Sequence, residues 1–158
     1  MKKIILISAA LLFASSLSAK KYPHPESGVV VDIPGSWQVS GDDHSLHAQT
    51  KDGHAHMFFQ VTEADSMEAA LNALDGELNK VVQNMTHDEA KDTKVNGMKA
   101  VSIDGKGTVE GHNVELGILV IQTPKNKALI VFGMVSEEGL KKYEKGLMRI
   151  LRGIKPMK

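Results

Sequence analysis

The chain has 158 residues with 19 basic and 19 acidic side chains, a length that suits one domain able to bury a proper core. It holds no cysteine, which excludes disulfides, thiol nucleophiles, iron–sulfur clusters and zinc sites built on thiolate. No block of basic residues stands anywhere past the first few positions, so neither nucleic acid nor an anionic membrane surface is expected as a partner.

Residues 1–19 read as a secretory signal peptide: Lys2 and Lys3, an apolar run from Ile4 to Phe13, then mostly small residues from Ala14 to Ala19. The apolar run falls short of the about 20 residues that cross a bilayer core of roughly 30 Å, so a cleaved leader is expected and no membrane anchor in the mature form. Cleavage is expected after Ala19; Leu17, bulkier than usual at its position, leaves a neighbouring site open. Without cysteine there is no lipidation there. The mature chain then has 17 basic and 19 acidic residues and belongs in the periplasm or outside the cell.

Lys20 to Gly28, with Pro23 and Pro25, reads as an irregular arm, and the folded domain is expected over 29–156. Val29 to Ile33 and Trp37 to Ser40 look like two short strands around a tight turn at Pro34-Gly35. Ser45 to Thr50 and His54 to Thr62 flank Lys51-Asp52-Gly53, and an Asp-Gly pair between strand-like runs signals a hairpin because both positions tolerate positive φ. Asp65 reads as an N-cap, followed by Met67, Leu71, Leu74, Leu78, Val81 and Met85 at three- and four-residue steps, which predicts an amphipathic helix from Ser66 to about Asn84.

From Lys91 the β pattern returns, with turns at Asn96-Gly97, Glu110–Asn113 and Pro124–Lys127 between strand-like segments. Leu129-Ile130-Val131-Phe132 does not alternate, which marks a central strand covered on both faces. Ser136 caps a last helix over Glu137 to about Ile150, acidic in its first turn. The order predicts an α+β fold, an antiparallel sheet layered with helices on both sides in a single domain.

Three local patterns, Val31-Asp32-Ile33-Pro34-Gly35-Ser36-Trp37, Val95-Asn96-Gly97-Met98-Lys99-Ala100 and Ile150-Leu151-Arg152-Gly153-Ile154-Lys155-Pro156, lie in this order across most of the mature chain. In them the chain resembles the PsbP-like family, which includes DcrB-like envelope proteins. The resemblance implies an α/β/α sandwich and mainly non-enzymatic roles in binding or assembling other proteins. It supplies no site residue. Trp37, beside a turn in a chain poor in aromatics, is expected in the core.

Chemistry is sparse. Gly35-Ser36-Trp37 lacks the second glycine of a nucleophile elbow, and Gly105-Lys106-Gly107-Thr108 lacks the first glycine of a phosphate loop and reads as solvent-side strand with room for a bulge. No enzyme and no cofactor are expected. Four of seven histidines, His44, His47, His54 and His56, fall on the predicted hairpin. With Asp52-Gly53 as a two-residue turn, Lys51 faces His54, Gln49 faces His56 and His47 faces Phe58, which puts His47, His54 and His56 on one sheet face. Those three imidazoles are candidate ligands for zinc or copper, set against the plainer reading of polar residues on a solvated face. The leading expectation is an exported, non-enzymatic module that binds or assembles another envelope protein; the alternative is a periplasmic metal-binding protein.

Overall fold

A computed structural model describes residues 18–63 and 66–158. In chain order, β1 (Ala19–His24), β2 (Val29–Pro34), β3 (Gln38–Gly41), β4 (Ser45–Gln49) and β5 (Ala55–Thr62) precede α1 (Met67–Val81). Then come β6 (Gln83–His87), β7 (Lys91–Val95), β8 (Met98–Val109), β9 (His112–Gln122), β10 (Ala128–Ser136), α2 (Glu137–Arg152) and β11 (Ile154–Pro156). The leader expected over 1–19 lies outside the described residues except for its last two positions.

The larger sheet is antiparallel in the order β3-β4-β5-β10-β9-β8-β6, with β7 also paired to β8; a smaller sheet runs β1-β2-β11. Tight connections dictate this pairing. Asn96-Gly97 (φ 46° and 85°) joins β7 to β8, and Glu110-Gly111 (φ 50° and 82°) joins β8 to β9, both left-handed pairs whose twist matches that of the strands. On one sheet face, α2 and the small sheet bury a core containing Val31, Ile33, Met57, Phe59, Leu129, Val131 and Ile150. On the other, α1 packs Ala70 and Leu78 against Ile130, Phe132, Leu116 and Val120. Strand β10 thus serves both cores, as its unbroken apolar run implies. The fold is the expected α+β sandwich, with Trp37 in the core and edge-on to Tyr143 at 6.2 Å between ring centres.

Several local expectations are corrected. The segment 20–28 is not an irregular arm: β1 pairs with β2 from Ala19↔Pro34 to His24↔Val29, because Pro23 removes no hydrogen bond that an edge strand needs. Strands β2 and β3 do not pair with each other. They belong to different sheets, with the turn closed by the Trp37 amide on the Pro34 carbonyl. Helix α1 is capped by Ser66, whose hydroxyl accepts from the Ala69 amide, while Asp65 lies outside the described residues.

That helix ends three residues early. Val82 turns extended and is buried, so Val81 is left 60% exposed and β6, unanticipated, follows. Gly105 and Gly107 are not solvent-side spacers. A Cβ on Gly107 would stand 2.3 Å from Val82 Cγ1 and one on Gly105 2.8 Å from the Thr86 carbonyl, so the glycines admit the crossing of β6, which carries the register shift.

Candidate functional site

The hairpin β4–β5 holds the register expected of it, with His47 opposite Phe58 and Gln49 opposite His56. Its loop differs: four residues, 51–54, are closed by the Thr50 amide on the Ala55 carbonyl and the Gly53 amide on the Thr50 carbonyl, both at 3.0 Å. Lys51 and His54 are therefore not a ladder pair. His54 extends β5 toward β10 instead, its carbonyl accepting from the Ser136 amide at 2.8 Å.

Asp52 ties the loop to α2. Its carboxylate accepts from the Thr50 hydroxyl at 2.8 Å, the Lys142 ammonium at 2.9 Å and the Tyr143 hydroxyl. The Tyr143 hydrogen bond and then that of Lys142 hold the Asp52 carboxyl well below the usual carboxylate range. The same Tyr143 and Asp52 contacts raise the Lys142 ammonium. At the same junction the Ser136 hydroxyl accepts from the Gly139 amide at 3.0 Å, capping α2, which leaves its own proton to donate to His54 Nδ1 at 2.7 Å.

His47 and His56 share the face opposite α2's core, whereas His54, in the loop before β5, packs against Gly139 in the first turn of α2, and the three imidazoles do not converge. His56 Nε2 lies 3.0 Å from the Gly53 carbonyl, an acceptor only, so that nitrogen carries the proton and the neutral ring's Nδ1 accepts from His47 Nε2 at 3.2 Å. Burial, then the neighbouring His56, lowers the His47 pKa and favours its neutral form. His54 is engaged by Ser136, and His44 bonds Glu26 at 2.9 Å, away from the others. Among the described residues no three His, Asp or Glu side chains are placed to hold a metal ion.

What the face does present is a set of parallel rings. His47 stacks on Phe58 at 4.2 Å and 3°, His56 lies 5.5 Å from His47 at 8°, and Phe132 follows 6.1 Å beyond Phe58. Helix α1 covers β9 and β10 but stops short of this end of the sheet, so Phe58 stays 39% exposed. Beside it opens a recess of about 430 Å³ lined by His54, His56, Met134, Ser136 and the β8–β9 turn, with Glu110, Glu137 and Glu138 at its acidic margin. Sequence reasoning placed the histidines and passed over Phe58, Phe132 and Ser136. Alternation along β5 puts Phe58 on the histidine face and was sufficient to find it; Ser136 meets His54 from 82 positions away, which no local pattern signals.

No family model and no curated protein matches the chain. Solved structures do. CyanoP, the cyanobacterial PsbP of Synechocystis, is 8% identical over 90% of this chain and 94% of its own, with a TM-score of 0.62. A protein of Bacteroides thetaiotaomicron is 16% identical, with a TM-score of 0.61 over 89% of this chain and 49% of its own. LpqN of Mycobacterium tuberculosis, described as involved in cell envelope biogenesis, is 12% identical over 87% and 90%, with a TM-score of 0.51. At these identities the likeness establishes a PsbP-like fold.

Proposed function

We propose that the chain is an exported, non-enzymatic module that binds or helps assemble another envelope protein, and that the ring-bearing end of the β4–β5 face is where it does so. The leader-like first nineteen residues and the DcrB-like patterns support export to the periplasm or beyond. The observation that carries the reading is Phe58, exposed on a sheet face and near-parallel to His47 and His56, with the buried Phe132 ring inclined 24° behind it. Preorganised aromatic surface of this kind is what protein interfaces use as anchors, because little side-chain freedom is lost on docking. A photo-crosslinking residue at position 58 in the native envelope should capture one discrete species that the same residue at exposed Asn79 on α1 does not. Identical capture at both positions would remove the assignment.

A second reading rests on the 3.2 Å between His47 Nε2 and His56 Nδ1. Two nitrogens at about 2.0–2.1 Å from one zinc ion stand roughly that far apart, so the pair supplies two ligands after a modest ring rotation, with water completing the shell. His54 would join only by releasing Ser136. Calorimetric titration of tag-free protein with zinc and copper(II) should give at most micromolar-range affinity, reduced in the His47→Ala, His56→Ala double variant. Nanomolar affinity, or stoichiometric metal in protein as purified, would promote this reading over the first.

A further inference from the structure

The last eighteen residues, 141–158, hold seven basic side chains and one acidic, against twelve and eighteen in residues 1–140. No run longer than Lys141-Lys142 is visible there, because the others follow at steps of three and four positions. The helix closes those gaps. Lys141, Lys145, Arg149 and Arg152 are all exposed on α2, around Met148, which is 42% exposed; Lys155 and the 43% exposed Met157 follow on the small sheet's side. Lys142 is held by Asp52, but among the described residues no carboxylate pairs with Lys141, Lys145, Arg149, Arg152 or Lys155. The opposite layer has the other sign: α1 carries Glu68, Asp75 and Glu77 against Lys80, which is itself bonded to Glu77 at 2.7 Å.

We infer that the outer face of α2, with Lys155 and Met157 beside it, docks the protein on an anionic phospholipid surface. Four or more Lys and Arg on one helix face add up in the potential of such a surface, and five unpaired cations have no internal carboxylate to leave. An extended sheet of headgroup charge suits cations spread over three helical turns and an adjoining strand. The acidic α1 layer gives the molecule a dipole that turns α2 toward that surface and the other layer away from it. Because the apolar face of α2 is already committed to Trp37, Leu129 and the rest of that core, the helix docks by its polar face, with Met148 and Met157 reaching the headgroup level. Binding is therefore shallow and sensitive to salt. The proposal runs against the expectation from sequence that no membrane surface would attract this chain, because the last helix gathers cations that the linear sequence keeps apart. This inference does not rest on the partner proposed above.

The test uses untagged processed protein in co-sedimentation with vesicles of equal parts phosphatidylglycerol and phosphatidylcholine, and with vesicles of phosphatidylcholine alone. Binding is expected to the first only, and to disappear as added salt shortens the screening length from roughly 10 Å to roughly 3 Å. The Lys145→Glu, Arg152→Glu variant should bind at least about tenfold more weakly with an unchanged melting temperature. A control of equal charge change remote from α2, Lys80→Glu with Lys106→Glu, should lose much less. Equal binding to both vesicle types, equal loss in both variants, or salt-dependent self-association of the chain without vesicle binding would overturn the proposal.

Discussion

His24 shows how one side chain sets a pH dependence for the fold. Its ring is buried, Nδ1 stands 3.0 Å from the Ser27 hydroxyl, and that hydroxyl donates to the His24 carbonyl, so Nδ1 must be the protonated nitrogen. Among the described residues Nε2 then has no partner at hydrogen-bond geometry. Burial holds the pKa below its ordinary value of 6.5, overriding the opposing pull of the His44 carbonyl and Glu26. A depressed histidine binds fewer protons folded than unfolded, so stability rises with pH through this window and falls as pH drops below 6.5. Thermal melts should give a lower midpoint at about pH 5.5 than at about pH 7.5, and His24→Gln should shrink the difference. An unchanged difference would assign the titration elsewhere, His47 being the next group lowered in the same sense.

Among the elements, the two helices are capped alike and integrated differently. Among the described residues Ser66 accepts from the Ala69 amide, in the open, whereas Ser136 accepts from Gly139 and also donates to His54 across the β5–β10 junction. Ser66→Ala should cost about 1 kcal/mol, and Ser136→Ala more, toward about 2, because it also strips His54 of its donor. Denaturant unfolding of both variants orders them; equal losses would mean the His54 contact adds nothing. Within α1, Leu74 touches both clusters beneath the helix while Asn79 is exposed. Leu74→Asp should lower the melting midpoint by many degrees through an unpaired charge at the sheet, and Asn79→Asp should be nearly silent. Similar midpoints would show that this face contributes no core.

For the whole molecule, strand β1 limits where the expected removal of a leader can fall. If the leader is removed after Ala19, Lys20 to His24 remain and keep their pairing with Val29 to Ile33 on β2. A start much further in would leave β2 without one neighbour and uncover Val31, which is fully buried. Intact mass of the exported protein should place its first residue within about two positions of Lys20. A first residue beyond His24, or retention of Met1, would contradict this.

What the sequence alone determined was whatever depends on spacing along the chain. The helices followed from the 3.6-residue period, the hairpins from Asn-Gly and Asp-Gly, the central strand from Leu129 to Phe132, and the shared face of His47 and His56 from alternation on one strand pair. Only the tertiary structure decided contacts between positions far apart. It gave the proline-bearing arm a partner strand, ended α1 at Val81 so that Val82 fills the core, and turned His54 to Ser136 instead of toward the other imidazoles. It likewise set the cations of α2 and the carboxylates of α1 on opposite layers. The reason is physical: periodicity reports which side of an element is apolar, while the partner of that side is chosen by packing the whole domain at once.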